Sequence, residues 1–501
     1  MNGLLDSLSI GLSVALSGNS LLFCLIGTLI GTVIGVLPGL GPVATMAMLL
    51  PLTFYVEPTQ ALIMLAGIYY GAQYGGSTTA ILLKLPGEVS SVVTCIDGHE
   101  MAKKGRAGAA LAIAAIGSLF AGTVATLLIA LFSPPLTALA QSFGPADYFA
   151  LMALGLLASI IFSNGDVLRA ILMILLGVLL GTIGTDINSG FERYVFGVPQ
   201  LREGLTFIVV SMGIYGIAEI VMNLAAPDAT KVGVLPRIGK LWPSRQELKE
   251  ATPAVVRGTA VGAALGILPG GGAMLSSFAS YAIEKKVSKK PEEFGRGAVA
   301  GLAGPEAANN AGAQSSFIPM LALGIPGNSV MAMLAGAMLI HGISPSPALS
   351  TEQPQLFWGL IVSMWIGNIM LVVINLPLVG LWVRLLSIPY RMLFPAIIVL
   401  CCIGVYSVNS STFDIMAIAV CGLVGVILSN LKCPVAPFAL SFILSPMLEE
   451  NFRRAMQLAR GDITVFATRP VTSTILLIGA ALAVLLIMPS FKRVRSAADE
   501  A

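Results

Sequence analysis

Apolar runs at 107–132, 145–162, 167–185, 204–226, 356–386, 392–408, 412–430 and 471–489 each approach the roughly 20 residues that a helix needs to cross a hydrocarbon core. They predict continuous spanning helices. Regions 20–96 and 256–342 are equally apolar but are interrupted by Gly, Pro, Asn, Ser and Thr. A lipid-facing helix does not tolerate such interruptions, because a freed amide finds no partner in hydrocarbon. These two regions therefore predict broken helices or re-entrant hairpins. The first 19 residues carry Asp6 and lack a basic n-region, so they read as an amphipathic helix at the membrane interface rather than a signal peptide.

Composition sharpens this picture. Of 501 residues, 56% are apolar and 11% charged, against about 25% charged in a soluble domain. The 28 Lys and Arg and 25 Asp and Glu leave a net charge of +3, too small for a nucleic-acid-binding face. The six cysteines lie mostly within apolar runs, with only His99 and His341 to join them, so neither a disulfide framework nor a zinc site is expected. No GxxxxGK[ST] motif occurs, which argues against ATP hydrolysis in this chain.

The two interrupted regions are copies of one another. GTLIGTVIGVLPGLG at 27–41 aligns without a gap with GTAVGAALGILPGGG at 258–272, and LKLPGE at 83–88 answers LGIPGN at 323–328. The longer second copy carries the polar loop KKVSKKPEEFGRG at 285–297. Basic loop residues mark the cytoplasmic side. They are absent from 54–60 and present at 285–297, then present at 97–106 (Lys103, Lys104, Arg106) and absent from 342–355. The bias reverses between copies, which predicts opposite insertion, a plan common among secondary transporters. The expected architecture is an all-α polytopic membrane protein with two inverted-topology repeats and about 12 spans. Its parts are an interfacial helix at 1–19, a first repeat at 20–226, a cytoplasmic loop at 227–253, a second repeat with C-terminal helices at 254–489, and a cytoplasmic tail at 490–501.

The candidate chemistry lies at the four breaks: LPGLGP (37–42), GGSTTAILLKLPGE (75–88), LPGGGA (268–273) and AANNAGAQSSFIPMLALGIPGNS (307–329). Half-helix starts there offer backbone N–H groups suited to an anion. Pro38, Gly39, Gly41, Pro86, Gly87, Gly270, Gly271, Pro326, Gly327 and Asn328 form the candidate backbone site. Ser77, Thr78, Thr79, Asn309, Asn310, Gln314, Ser315 and Ser316 add neutral donors and acceptors, though such residues also simply join helices. Lys84, inside ILLKLPG, is either a functional intramembrane cation or a lysine snorkelling from a helix end. Glu88 and Glu306 are candidates for a coupling cation or proton, with helix capping the plainer role. His99 and His341 read as structural. The stripes Gly27/Gly31/Gly35 and Gly258/Gly262/Gly266 predict a close-packing face on which one half slides against the other.

GVLPGLGPVATMAMLLPLTF, YGGSTTAILLKLPGE, PEAANNAGAQSSFIPMLALGIPG and AMLIHG resemble the signatures of the TctA family, the large membrane subunits of tripartite tricarboxylate transporters. The likeness runs from about Gly27 to Gly342 and departs at Lys84, where the family more often has Asn. It implies a bacterial inner-membrane subunit of a secondary uptake system, driven by a Na+ or H+ gradient and without a bound cofactor. The implied partners are a small TctB-like membrane subunit and a periplasmic TctC-like solute-binding protein that delivers citrate or another carboxylate. An anion channel is the alternative. An intramembrane enzyme is a weaker one, since GxSxG, HExxH and paired aspartates are missing from the breaks. The charge pattern makes a direct prediction: single cysteines at Lys104 and Lys289 will label from the cytoplasm, and those at Thr59 and Ser350 from the periplasm. Labelling of positions 59 and 289 from one side would exclude opposite insertion.

Overall fold

A computed structural model describes residues 2–37, 41–162, 166–186, 189–225, 238–268, 272–385 and 390–487. It is 81% helical, and among the described residues the only strands are a two-residue pair, Gly184–Thr185 and Glu192–Arg193, so the all-α expectation holds. Five helical stretches among these residues are long and apolar enough to cross a membrane, and further shorter helices are apolar too. The chain is a multi-pass membrane protein.

After α1 (Asn2–Ala15), the first copy runs through α2 (Gly18–Val36), α3 (Pro42–Thr53), α4 (Pro58–Leu83), α5 (Val92–Met101) and α6 (Ala107–Ala140). Next come α7 (Pro145–Phe162), α8 (Val167–Gly181) and α9, a helical stretch from Phe207 to Ala225 with a π-helical segment at Met212–Ile217. The second copy begins with α10 (Arg245–Gly266) and continues through α11 (Gly272–Val287), α12 (Val299–Ser315), α13 (Phe317–Leu323), α14 (Ser329–Ile340) and α15 (Pro354–Asn375). The remaining long helices are α16 (Tyr390–Asn409), α17 (Thr412–Asn430), α18 (Val435–Leu458) and α19 (Pro470–Ile487).

Several apolar runs became helices at nearly their expected bounds, α7 and α17 among them. Helix α10 starts nine residues before the expected repeat boundary at 254, because Ser244 caps it and the Glu247 carboxylate accepts from the Ser244 amide, a capping box that stabilises a charged first turn. Helix α18 is absent from the expected spans. Pro437, Pro446 and the charged cluster Glu449, Glu450, Arg453 and Arg454 hide it, yet its first half is buried against α7 and α8. Helix α1 packs along α15, where Gly11 lies against the Trp358 carbonyl.

The glycine stripes behave partly as expected. In the first copy Gly27, Gly31 and Gly35 of α2 meet the carbonyls of Met64, Ile68 and Ala72 on α4; in the second, Gly258, Gly262 and Gly266 of α10 meet those of Gly304, Ala308 and Gly312 on α12. A Cβ at any of the six would come within 3.0 Å of backbone. The stripes are close-packing faces, but each lies inside its own repeat and not between the halves, because its partner is the next long helix of the same copy. Backbone cannot move aside as a side chain can. Gly31→Val and Gly262→Val should each therefore destabilise the protein by on the order of 3 kcal/mol, seen as loss of monodisperse, detergent-stable protein. Unchanged thermal stability of both would remove the stripes from the fold's support.

Candidate functional site

The breaks recur with a measurable offset. Gly27 corresponds to Gly258, 231 positions later, whereas Pro86 corresponds to Pro326, 240 later; the nine extra residues fall between the breaks, where the 285–297 loop lies. The second break has the same backbone in both copies. Helix α4 ends at Lys84, left-handed at φ 60, and α13 ends at Gly324, left-handed at φ 73. Four residues on, Glu88 and Asn328 take matching extended cap conformations (φ −151, ψ 166 and φ −153, ψ 175). Asn328 accepts from the Met331 amide at 2.9 Å, and Glu88 forms a capping box with Ser91.

All four breaks contribute to one cavity of about 810 Å³. Gly41 and Pro42 come from the first, Pro86, Gly87 and Glu88 from the second, Gly272 and Ala273 from the third, and Gly327 and Asn328 from the fourth. Tyr69, Gln73 and Ser90 add polar groups. Ser90 donates to Gln73 Oε1 (3.1 Å) and hydrogen-bonds Glu88, while the Tyr69 side chain sits among Gln73, Ser316 and Asn328. The wall is mostly apolar, with its polar groups gathered near the breaks.

The remaining expected residues are distributed around this cavity. Gly41, Pro86, Gly87, Glu88, Gly327 and Asn328 are on its wall, with Pro326 buried beside them. Gly87 also serves packing, since a Cβ there would strike the Gly35 carbonyl and Gly76 Cα. Ser77 and Thr78 face a second, much smaller cavity with Glu306. Thr79 bonds the Gly35 carbonyl (3.4 Å), and Ser315 the Gly262 carbonyl (3.4 Å), so this pair joins helices within each copy. Gln314 Oε1 accepts from Thr126 (2.6 Å), Asn310 Nδ2 donates to Ser118 (2.7 Å), and Ser316 donates to the Ala313 carbonyl. Asn309 is fully buried, and neither side-chain polar atom has a hydrogen-bond partner among the described residues. Lys84 is exposed at the helix cap, outside the cavity wall, with Cys95 and Glu100 as electrostatic neighbours. Pro38, Gly39, Gly270 and Gly271 lie outside the described residues.

Three wall elements escaped the sequence reading. Glu219, just after the π segment of α9, accepts the Gly41 amide at 3.0 Å, so a protein carboxylate occupies one half-helix start. Its signal was available: a carboxylate inside the apolar run 204–226 merits the scrutiny given to Lys84. Lys432, at φ 55, and the start of α18 close another side, held by a hydrogen bond from the Tyr215 hydroxyl to the Val435 carbonyl. No motif marked that segment.

Residues 21–440 match the family described as "Tripartite tricarboxylate transporter TctA family". The chain belongs to the TctA family. It is accordingly a membrane subunit of a tripartite tricarboxylate transporter, which makes it a transport protein rather than an enzyme. Two relatives in Agrobacterium vitis extend the match. An uncharacterised 52.8 kDa protein in the TAR-I ttuC′ 3′ region is 55% identical over 495 residues, covering 99% of this chain and 98% of that protein. An uncharacterised protein in the TAR-II ttuC′ 3′ region is 55% identical over 234 residues, covering 47% of this chain and 97% of that protein. No solved structure matches the chain.

Within this TctA subunit, the left-handed cap at Lys84 is strained for a side-chain-bearing residue, and the second copy uses glycine there. Lys84→Gly should leave the unfolding midpoint at or above that of the parent, whereas Lys84→Val should lose on the order of 1 to 2 kcal/mol. Equal destabilisation by Gly and Val would mean that the ammonium, and not the backbone, holds the break.

Proposed function

We propose that this chain is the large membrane subunit of a binding-protein-dependent secondary transporter that takes up a citrate-like tricarboxylate or a related carboxylate by alternating access, driven by a Na+ or H+ gradient. The observation that carries this reading is the meeting of four helix breaks around one cavity. Its 810 Å³ falls in the range of about 300–1,000 Å³ typical of small-molecule sites. Half-helix N–H groups favour carboxylates, and Lys432 adds a fixed cation. Glu88 and Glu219 oppose a bare anion, which favours entry of the substrate with its coupling cations or protons. Lys84, beside the second break, tunes the ion dependence of uptake in the same reading.

Opposite insertion of the two halves has support from their loops. Segment 97–106 of the first copy meets the 285–297 loop of the second: Asp97 Oδ1 accepts the amides of Gly295, Gly297 and Ala298 at 2.9, 2.7 and 2.8 Å, and Lys104 bonds the Arg296 carbonyl. The first turn of α10 and the segment before it join them through Arg106 to Glu247 (2.6 Å) and the Gly108 amide to the Ile238 carbonyl (2.7 Å). The α3–α4 turn of the first copy instead neighbours the end of α14, where His341 contacts Thr53. Pairing the first loop of one copy with the second loop of the other is the arrangement that inverted halves produce. In this reading the basic loops and the C-terminus face the cytoplasm of a bacterium, and the partners are a small TctB-like membrane subunit and a periplasmic TctC-like binding protein.

An anion channel built on the same breaks is the second reading, favoured by the polar groups of Tyr69, Gln73 and Ser90 on the cavity wall. Accumulation separates the two. Proteoliposomes holding this chain and the small subunit should concentrate carboxylate against its gradient when an ion gradient is imposed, and at low substrate concentration uptake should rise several-fold on adding the binding protein. Equal uptake without that protein would contradict a tripartite system, and flux that only dissipates the substrate gradient would favour the channel.

A further inference from the structure

Beside the large cavity, one helical turn along α4, lies a second cavity of about 20 Å³, room for a single water-sized body. The oxygen-bearing side chains of Tyr74, Ser77, Thr78, Ser118, Glu306 and Asn375 line part of it, and apolar side chains, Leu111 among them, line the rest. The Glu306 carboxylate is buried (1% exposed) and accepts from Ser77 Oγ at 2.7 Å and from Thr94 Oγ1. None of the ion pairs among the described residues involves it. Two further groups are buried without a hydrogen-bond partner among the described residues, the Tyr74 hydroxyl and Asn375 Oδ1.

These facts belong together. An isolated carboxylate in low dielectric needs a compensating charge. A proton alone would neutralise Glu306 but would leave Asn375 Oδ1 unpaired beside an empty space, at the usual cost of an orphaned buried acceptor. A hard cation in the cavity would satisfy the carboxylate, the amide oxygen and the hydroxyls at once, since all are oxygen donors. A divalent ion would leave one positive charge unbalanced against a single carboxylate. We infer that Glu306, Ser77, Thr78, Tyr74, Ser118 and Asn375 form a binding site for one sodium-sized monovalent cation, separate from the carboxylate cavity.

The site bridges the two copies. Glu306 belongs to α12 of the second, while Ser77 on α4 and Thr94 on α5 belong to the first. The position equivalent to Glu306 in the first copy, 240 residues earlier, is Ala66, so the duplication does not produce a twin. The link to the substrate cavity is short: Ser77 Oγ also lies 3.0 Å from the carbonyl of Gln73, whose side chain is on the wall of the large cavity. The inference deepens the transport reading and rests on it only for the role of the ion in uptake.

The test is sodium binding by the purified full-length chain in detergent, without substrate or partners, titrated with sodium chloride against choline chloride at constant ionic strength. Bound radioactive sodium and the unfolding midpoint are both read. The parent should bind sodium saturably at one ion per chain and melt higher with it. Glu306→Gln should abolish both effects, Asn375→Ala and Ser118→Ala should each weaken the affinity several-fold, and Glu292→Gln, on the exposed 285–297 loop, should bind as the parent does. Absence of saturable binding to the parent, or parental binding by a folded Glu306→Gln protein, would overturn the site. If Glu306→Gln does not fold, unchanged affinity in both Asn375→Ala and Ser118→Ala overturns it. Sodium binding without carboxylate uptake would uphold the site while sinking the transport reading, and uptake without sodium binding would do the reverse.

Discussion

A peptide group that leaves a helix inside a membrane must find another partner, because hydrocarbon offers none and the cost is several kcal/mol per group. Four such departures occur here, two in each copy of a duplicated segment. A duplicated pair of broken helices shelters its irregular backbone most economically by turning all of it toward one shared interior. The cavity edged by Gly41, Gly87, Gly272 and Gly327 is that interior. What makes the breaks tolerable in lipid also lines a chamber, and protein acceptors meet its helix starts: Glu219 takes the Gly41 amide and Asn328 the Met331 amide.

The glycine stripes make this arrangement possible. Bringing α2 against α4, and α10 against α12, close enough for carbonyls to take the place of side chains lets each copy act as a packed unit from which the breaks project at fixed positions. The breaks reinforce the packing in turn, since Gly87 nests against the Gly35 carbonyl. Across the copies, polar contacts are added to the packing. Asp97 gathers three amides and the Tyr281 hydroxyl of the second copy (3.0 Å), and Glu306 reaches Ser77 and Thr94 of the first. Tight packing holds within a copy; between copies Ala121 and Ala125 of α6 pack on Ala307 and Ala311 of α12, and hydrogen bonds such as Asn310 to Ser118 and those to the two carboxylates add to it.

Much of this was legible in the sequence because it is local or periodic. Pro and Gly in an apolar run mark a break wherever they occur, a gapless match such as 27–41 with 258–272 reveals the duplication, and the break motifs carry the family likeness that the match over 21–440 bears out. What could not be read is the identity of partners across space. The stripes announce close packing but not the helix that receives them, so they were assigned to the interface between halves and are found within each. Ser77, Thr79, Asn310 and Ser315 were grouped by chemistry, yet helix rotation sends Ser77 to Glu306 and Thr79 to the Gly35 carbonyl. Helix α18 failed the hydropathy pattern because its buried first half is followed by a charged second half. Glu219 was missed for the opposite reason: its run was apolar enough to pass as a plain span.

The central claim is that the four breaks together form the carboxylate site. Val43, Val89, Met274 and Val330 each line the cavity, one beside each break, so single cysteines at these positions, in a background freed of the six native cysteines, report on it directly. Their rates of maleimide labelling should all fall together when one member of a panel of di- and tricarboxylates is added at saturating concentration, while a cysteine on the exposed 285–297 loop, at Lys289, keeps its rate. Protection confined to the positions of one copy, or none at any of the four while that substrate is still transported, would contradict a site shared by both halves.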